Sequence, residues 1–287
     1  MAAPYPPVVL LLARLLECDP AACLVAGAGV HFIYQPMWSC QDRSRVIGLS
    51  PAFPERLWAR LHVSFERHTA PEPRLTAIVH AAPRDHHLLL FARDRIFHLV
   101  ELDLPHLIVD DGTGARPVPP EQVEEEWAQA MPAGVWYAVS RRPAELPSAG
   151  VLRAGLLQNA HEMLISSGAP QGVDGIELWG EALAAWPDAP EWPVSARATA
   201  AHIQETGGLW RHALAQALET LRPHLPATLQ PAPLLATSVR LWGHVADGLQ
   251  RAAVEHDTDA LVAVRSSVLR LAGAESRLWH HVAEVCR

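Results

Sequence analysis

The chain has no lysine, only four cysteines, and no apolar run long enough to cross a bilayer. Each scarcity excludes a class of protein. All 23 basic residues are arginine, they are dispersed, and 31 acidic residues outnumber them for a net charge of −8. No basic block interleaves with aromatic residues, so nucleic-acid binding lacks its electrostatic footprint, and an anionic membrane surface is disfavoured on the same ground. Cys18, Cys23, Cys40 and Cys286 form no Cys-x-x-Cys pair and are too few for a disulfide scaffold, which points to a reducing cytoplasm. The apolar stretch Val8–Leu16 is too short for a membrane span. It also lacks the basic flank and small-residue cleavage pattern of a secretion signal, and reads as a buried first helix.

Cofactor signatures are also missing. There is no His-Glu-x-x-His and no zinc-spaced Cys/His set, and the adjacent pairs His86-His87 and His280-His281 diverge on either a strand or a helix. Gly27 and Gly29 precede an apolar strand without the third glycine of a dinucleotide fingerprint. Neither a metal nor an organic cofactor is expected.

What is present is an apolar fraction of 49% in 287 residues, enough for one large or two modest domains. The expected class is α+β followed by an all-helical region, with a mixed domain over 1–148 and a helical domain over 149–287. In the first part a helix begins at Pro6-Pro7, a strand follows Gly29, a short helix covers Ser50 to His62, and Leu75–Val79 reads as a strand. His86–Phe91 leads into a hairpin from Ile96; a helix opens near Val118 and Gly134–Val139 forms a last strand. The second part has helical period throughout: Val151–Ile165, Gly175–Ala185, a long helix over Ala196–Leu221, then Leu234–Glu255 and Thr258–Val285 beyond a proline-rich linker, Pro223–Pro233. The tryptophans of this half, among them Trp179, Trp242 and Trp279, are expected to pack the bundle.

The hairpin carries the chemistry. If Asp103-Leu104-Pro105 is a three-residue loop, His98 faces Asp110, with Cβ atoms roughly 4.5–5.5 Å apart. A carboxylate there can fix an imidazole's tautomer and stabilise its protonated form. A loop one residue different puts Asp111 opposite instead, so the choice between Asp110 and Asp111 stays open.

Four stretches give the chain a family likeness: Leu24 to Tyr34, Asp85 to Phe91, Phe97 to Asp110, and the pair Gly172–Trp186 and Ile203–Arg211. Through them the chain resembles the family of the butirosin biosynthesis protein H, which has a papain-like domain followed by a helical domain. The resemblance implies acyl transfer from a carrier-protein thioester to an amine, with His98 as general base and Asp110 or Asp111 as its orienter. It implies Tyr34, His31 and Tyr5 as substrate-binding residues. Its partner is a small-molecule or carrier-protein-bound acyl substrate, and a homodimer stays open. That family places a nucleophilic cysteine at the N-terminus of the first helix, where backbone N–H groups and the helix dipole favour a thiolate. Here the positions read Ala2, Ala3, Pro4, Tyr5, Pro6 and Pro7, with no Cys, Ser or Thr. Two functions follow from this departure: a biosynthetic acyltransferase or cyclase working through His98 without a covalent intermediate, or a non-catalytic binding protein of the same fold.

Overall fold

The structure is a computed structural model that describes residues 5–35, 46–81, 85–92, 95–103, 106–130, 133–141, 146–165 and 170–287. Ala2–Pro4, Cys40 and the Leu104-Pro105 hairpin tip lie outside the described residues. The protein is α+β, with an antiparallel sheet and an all-helical C-terminal region. Its contacts define two compact units. One comprises Tyr5–Cys23 and Pro54–Pro147; the other comprises Leu24–Phe53 and Ser148–Arg287.

The first unit holds six strands: β3 (Phe65–Thr69), β4 (His86–Phe91), β5 (Ile96–Asp103), β6 (His106–Asp110), β7 (Ala115–Pro117) and β8 (Val135–Ser140). They pair antiparallel in the order β3-β8-β4-β5-β6-β7. Its helices include α1 (Pro7–Leu15), α4 (Leu75–Ala81) and α5 (Pro120–Ala128). Leu90, Phe97, Leu99, Val109, Trp136 and Ala138 form a dry layer on one sheet face, covered by Leu75 and Ile78 of α4 and by Val123 and Trp127 of α5. Trp127 also satisfies its indole N–H on the Val135 carbonyl at 2.8 Å. Each large side chain buried this way contributes about 1.5–3 kcal/mol.

Leu75–Val79, expected as a strand, is the helix α4. Leu75 and Ile78, three residues apart, share the face turned to the sheet. The amide of Leu75, a first-turn donor with no partner inside the helix, donates to Glu124 Oε1 at 2.8 Å, while Arg74 pairs with Glu124 Oε2 at 3.0 Å. A carboxylate 49 residues away thus caps this element.

The second unit pairs β1 (Val30–Tyr34) with β2 (Val46–Leu49) and groups them with the helices α6 (Ala149–Leu164), α7 (Gly172–Ala182), α8 (Trp192–Glu205), α9 (Arg211–Thr220), α10 (Ala232–Glu255) and α11 (Thr258–Cys286). The expected long helix over Ala196–Leu221 is two helices, α8 and α9. Between them Gly207, Gly208, Leu209 and Trp210 all take positive φ, between 50° and 69°, a left-handed turn that no right-handed helix traverses.

That turn delivers Arg211 into the bundle. Arg211 and Glu275 are fully buried and meet through two hydrogen bonds, Nε to Oε1 at 3.0 Å and Nη2 to Oε2 at 2.9 Å. The remaining guanidinium donors reach the His31 and Leu209 carbonyls and the Met163 sulfur. Glu275 also accepts from the Ser238 hydroxyl and from the indoles of Trp242 and Trp279. Phe32 of β1 packs against both Trp179 and Trp242, with centroids 6.0 and 5.7 Å away, and the two indoles stack on each other at 6.1 Å.

Candidate active site

The face of the sheet opposite the dry layer sets polar side chains among apolar ones, the buried Leu89, Val135 and Val139 and the rings of Phe65 and Phe91 against Tyr137. Residues directly opposite on paired strands share a face, and the registers chain Arg67 to Tyr137, Tyr137 to Leu89, Leu89 to His98, and His98 to Asp110. One row across five strands thus carries an arginine, a tyrosine, a histidine and an aspartate. At its outer end the Tyr137 hydroxyl donates to Glu55, and burial with that carboxylate beside it pushes the phenol pKa up.

His98 stands opposite Asp110 by a route different from the expected one. The turn end of the hairpin is one residue tighter, with Asp103 paired to His106, and continuing that register would set His98 against Asp111. A bulge between Leu99 and Glu101 shifts the pairing back by one. Val100, the extra residue, is 47% exposed, while Leu99 and Leu102 both keep to the apolar face.

Two imidazoles meet on this face. His87 lies two residues before Leu89, the partner of His98, and its Nδ1 is 3.2 Å from His98 Nε2 with the rings edge to face. One nitrogen donates and the other accepts. Burial, then the neighbouring His87, lower the His98 pKa to about 4 against the opposing pull of Asp110. Burial also lowers that of His87. Both rings are therefore neutral at pH 7, and a neutral imidazole is an available base.

Asp110 is engaged elsewhere. Its Oδ2 accepts from Arg14 Nη2 of α1 at 2.5 Å and its Oδ1 from the amides of Gly112 and Gly114 at 2.9 and 3.3 Å. Asp111, the other candidate orienter, holds the turn instead. It accepts from the Thr113 hydroxyl at 2.6 Å and amide at 3.1 Å, and from Arg116 at 3.0 Å and Arg95 at 3.4 Å. Burial opposes its charge, but those donors prevail and hold its pKa at about 2.

The first helix meets the same corner at its N-terminal end. Gly112 has φ +95°, and a Cβ there would run into the carbonyl oxygen of Pro7. The N-terminus of α1 thus abuts the Asp110–Gly114 turn, and it is occupied by Tyr5-Pro6-Pro7, with Tyr5 buried. Cys18 and Cys23 lie past the other end of α1. A hydrogen bond between their thiols draws the Cys18 pKa down and, with burial, pushes that of Cys23 up.

The substrate-binding candidates are not gathered in one unit. Tyr5 belongs with His98, but His31 and Tyr34 lie on β1 in the unit that contains the helices. Both are buried: the Tyr34 amide donates to the Pro170 carbonyl at 2.7 Å, and His31 Nε2 is 3.4 Å from Gln171 Oε1. Among the described residues no three His, Cys, Asp or Glu side chains gather as a metal site. Nor is any described helix long and apolar enough to cross a membrane.

Residues 123–282, more than half of the chain, match the family model described as Domain of unknown function (DUF4872). The chain belongs to that family. No curated protein matches it. The DUF4872 match runs from α5 through β8 and most of the helical region, so it leaves out His87, His98 and Asp110.

Proposed function

We propose that the protein is a cytoplasmic natural-product biosynthetic enzyme of the butirosin-type, papain-like class, acting on an acyl or carrier-linked substrate by acyl transfer or cyclisation. His98 is its general acid/base, and no enzyme nucleophile takes part. The observation that carries the reading is the neutral His87–His98 pair beside Asp110, at the corner where α1 begins with Tyr5-Pro6-Pro7 and no Cys, Ser or Thr. In such a reaction the substrate's own amine or hydroxyl attacks the acyl carbon and gives its proton to His98. The new C–N or C–O bond forms, the C–S bond of the thioester breaks, and the imidazolium returns the proton to the leaving sulfur. A conjugate acid with a pKa near 4 is a strong donor to a thiolate. His87 holds the His98 ring and is a positioning residue that sequence reading passed over.

The test uses aminoacyl N-acetylcysteamine thioesters with a panel of amine acceptors. The native protein accelerates aminolysis, and His98→Ala lowers the rate by about 100-fold or more. Full retention of rate in that variant sinks the proposal. A second reading, a binding protein without turnover, draws on the 9% exposure of His98 and the engagement of Asp110 by Arg14. It predicts saturable binding of the same thioesters with no aminolysis, unaltered by Asp110→Asn.

A further inference from the structure

The proline-rich segment expected as a linker is one wall of a cavity. Between α9, the segment Arg222–Pro231 and the first turns of α10 lies a pocket of about 610 Å³, within the range of roughly 300–1,000 Å³ that small-molecule sites occupy. It belongs wholly to the unit with the helices and is separate from His98.

Its shape follows from residue size and spacing. Along α10 the lining residues Ala232, Leu235, Ala236 and Val239 recur at helical steps of three and four, so they form one face. Alanines at 215, 227, 232 and 236 leave the space, while Leu218 and Leu235 close the floor and the half-buried Leu225, Leu229 and Val239 remain open to a ligand. Pro226, Pro231 and Pro233 also line it, and their fixed φ holds the wall without a ligand, which lowers the entropic cost of binding.

The polar side chains are few: Arg222, Arg240, Glu219, Gln230 and His212. Arg222 is tied to Glu219 at 3.4 Å. Arg240, at the end of the α10 face, lines the pocket with no hydrogen bond or ion pair among the described residues, and His212 stands at the head of the α9 face. An apolar cavity with one unengaged guanidinium complements a long apolar chain ending in a single anionic group. We infer that this pocket binds an anionic single-chain amphiphile of the fatty-carboxylate class, with its chain against Leu225, Leu229 and Val239 and its carboxylate on Arg240.

Dodecanoate is the probe, titrated below its micelle concentration by calorimetry into the full chain, with 1-dodecanol and dodecylamine as comparators. The expected result is saturable binding of one dodecanoate per chain, weakened about tenfold by Arg240→Gln, with dodecanol unaffected by that change. Ala236→Trp, a substitution at an exposed position that fills the cavity, abolishes binding while far-UV circular dichroism and thermal midpoint stay native. Absence of saturable binding overturns the inference, as does affinity indifferent to both substitutions. So does a concentration-dependent dimer in the ultracentrifuge that Ala236→Trp dissolves while dodecanoate fails to bind, because the groove then seats a second copy of the chain.

Discussion

His98 and Asp110 face each other across β5 and β6, yet among the described residues no hydrogen bond joins them: the carboxylate is held by Arg14 and two turn amides, and the imidazole by His87. Asp110 therefore acts on His98 through space, raising its pKa against a larger lowering by burial. The ring is an uncharged base at neutral pH, with no carboxylate among the described residues bonded to it to fix its tautomer.

That balance makes stability depend on pH in a defined window. The unfolded chain protonates this ring as pH falls through the usual 6.5, the folded protein only near 4. The contribution of neutral His98 is complete above about pH 6.5 and is lost as pH falls to about 4, by up to about 3 kcal/mol. Asp111 acts in a lower window, its contribution present above about 3.8 and lost toward 2. In urea titrations from pH 7.5 to 3, His98→Phe is expected to flatten the slope between 6.5 and 4 and leave the acid limb below it. An unchanged slope contradicts the assignment.

Deletion of Val100 is expected to be tolerated. The pairs on either side of the bulge, Leu99 with Val109 and Glu101 with Ile108, become consecutive when the extra residue is removed, so every other side chain keeps its face. The stability change should stay within about 1 kcal/mol, and the His98 ring, followed by NMR, should still titrate near 4. Loss of the cross-strand NMR contacts between His98 and Asp110 in the deletion variant contradicts this reading.

The Arg211–Glu275 pair predicts strong coupling. Glu275→Leu leaves a buried guanidinium without its counter-charge, at a cost of about 3–5 kcal/mol. Arg211→Met orphans the carboxylate at a similar cost. The double variant should recover much of the loss, since a buried pair is replaced by apolar volume. Urea denaturation of the four proteins gives the coupling energy directly; additive losses contradict a shared network.

Much of the architecture was legible in local pattern. The end helices read well because α11 repeats Leu261, Val264, Val268 and Leu271 on one face, and Asp257 caps it through the amides of Asp259 and Ala260. What failed depended on distant partners. Leu75–Val79 has the β-branched composition of a strand, but distant groups favour a helix: the sheet that takes Leu75 and Ile78 on one face, and Glu124, which accepts from the first-turn amide. Gly207-Gly208 was a visible breaker, but four consecutive left-handed residues follow from the burial of Arg211 rather than from propensity.

At the site, the His98–Asp110 pairing was expected through a three-residue loop. The tighter turn and the bulge are two one-residue shifts of opposite sign, and they cancel. A signal for the bulge was present: the apolar positions change from odd at Phe97 and Leu99 to even at Leu102. His87 was not legible as a partner of His98, because its placement needs the register between β4 and β5.

The strand Val30–Tyr34 has a consequence for synthesis of the chain. A ribosome completes it, and its partner β2, long before the helices that enclose it exist: the carbonyl of Val30 waits 129 residues for the Asn159 side chain, and that of His31 waits 180 residues for Arg211. Phe32 emerges equally early, ahead of the tryptophans that enclose it. Until translation passes Arg211, a nascent chain carries the β1–β2 pair without the helices that bury it, which is the kind of segment that chaperones shield and that aggregates when a transcript is cut short.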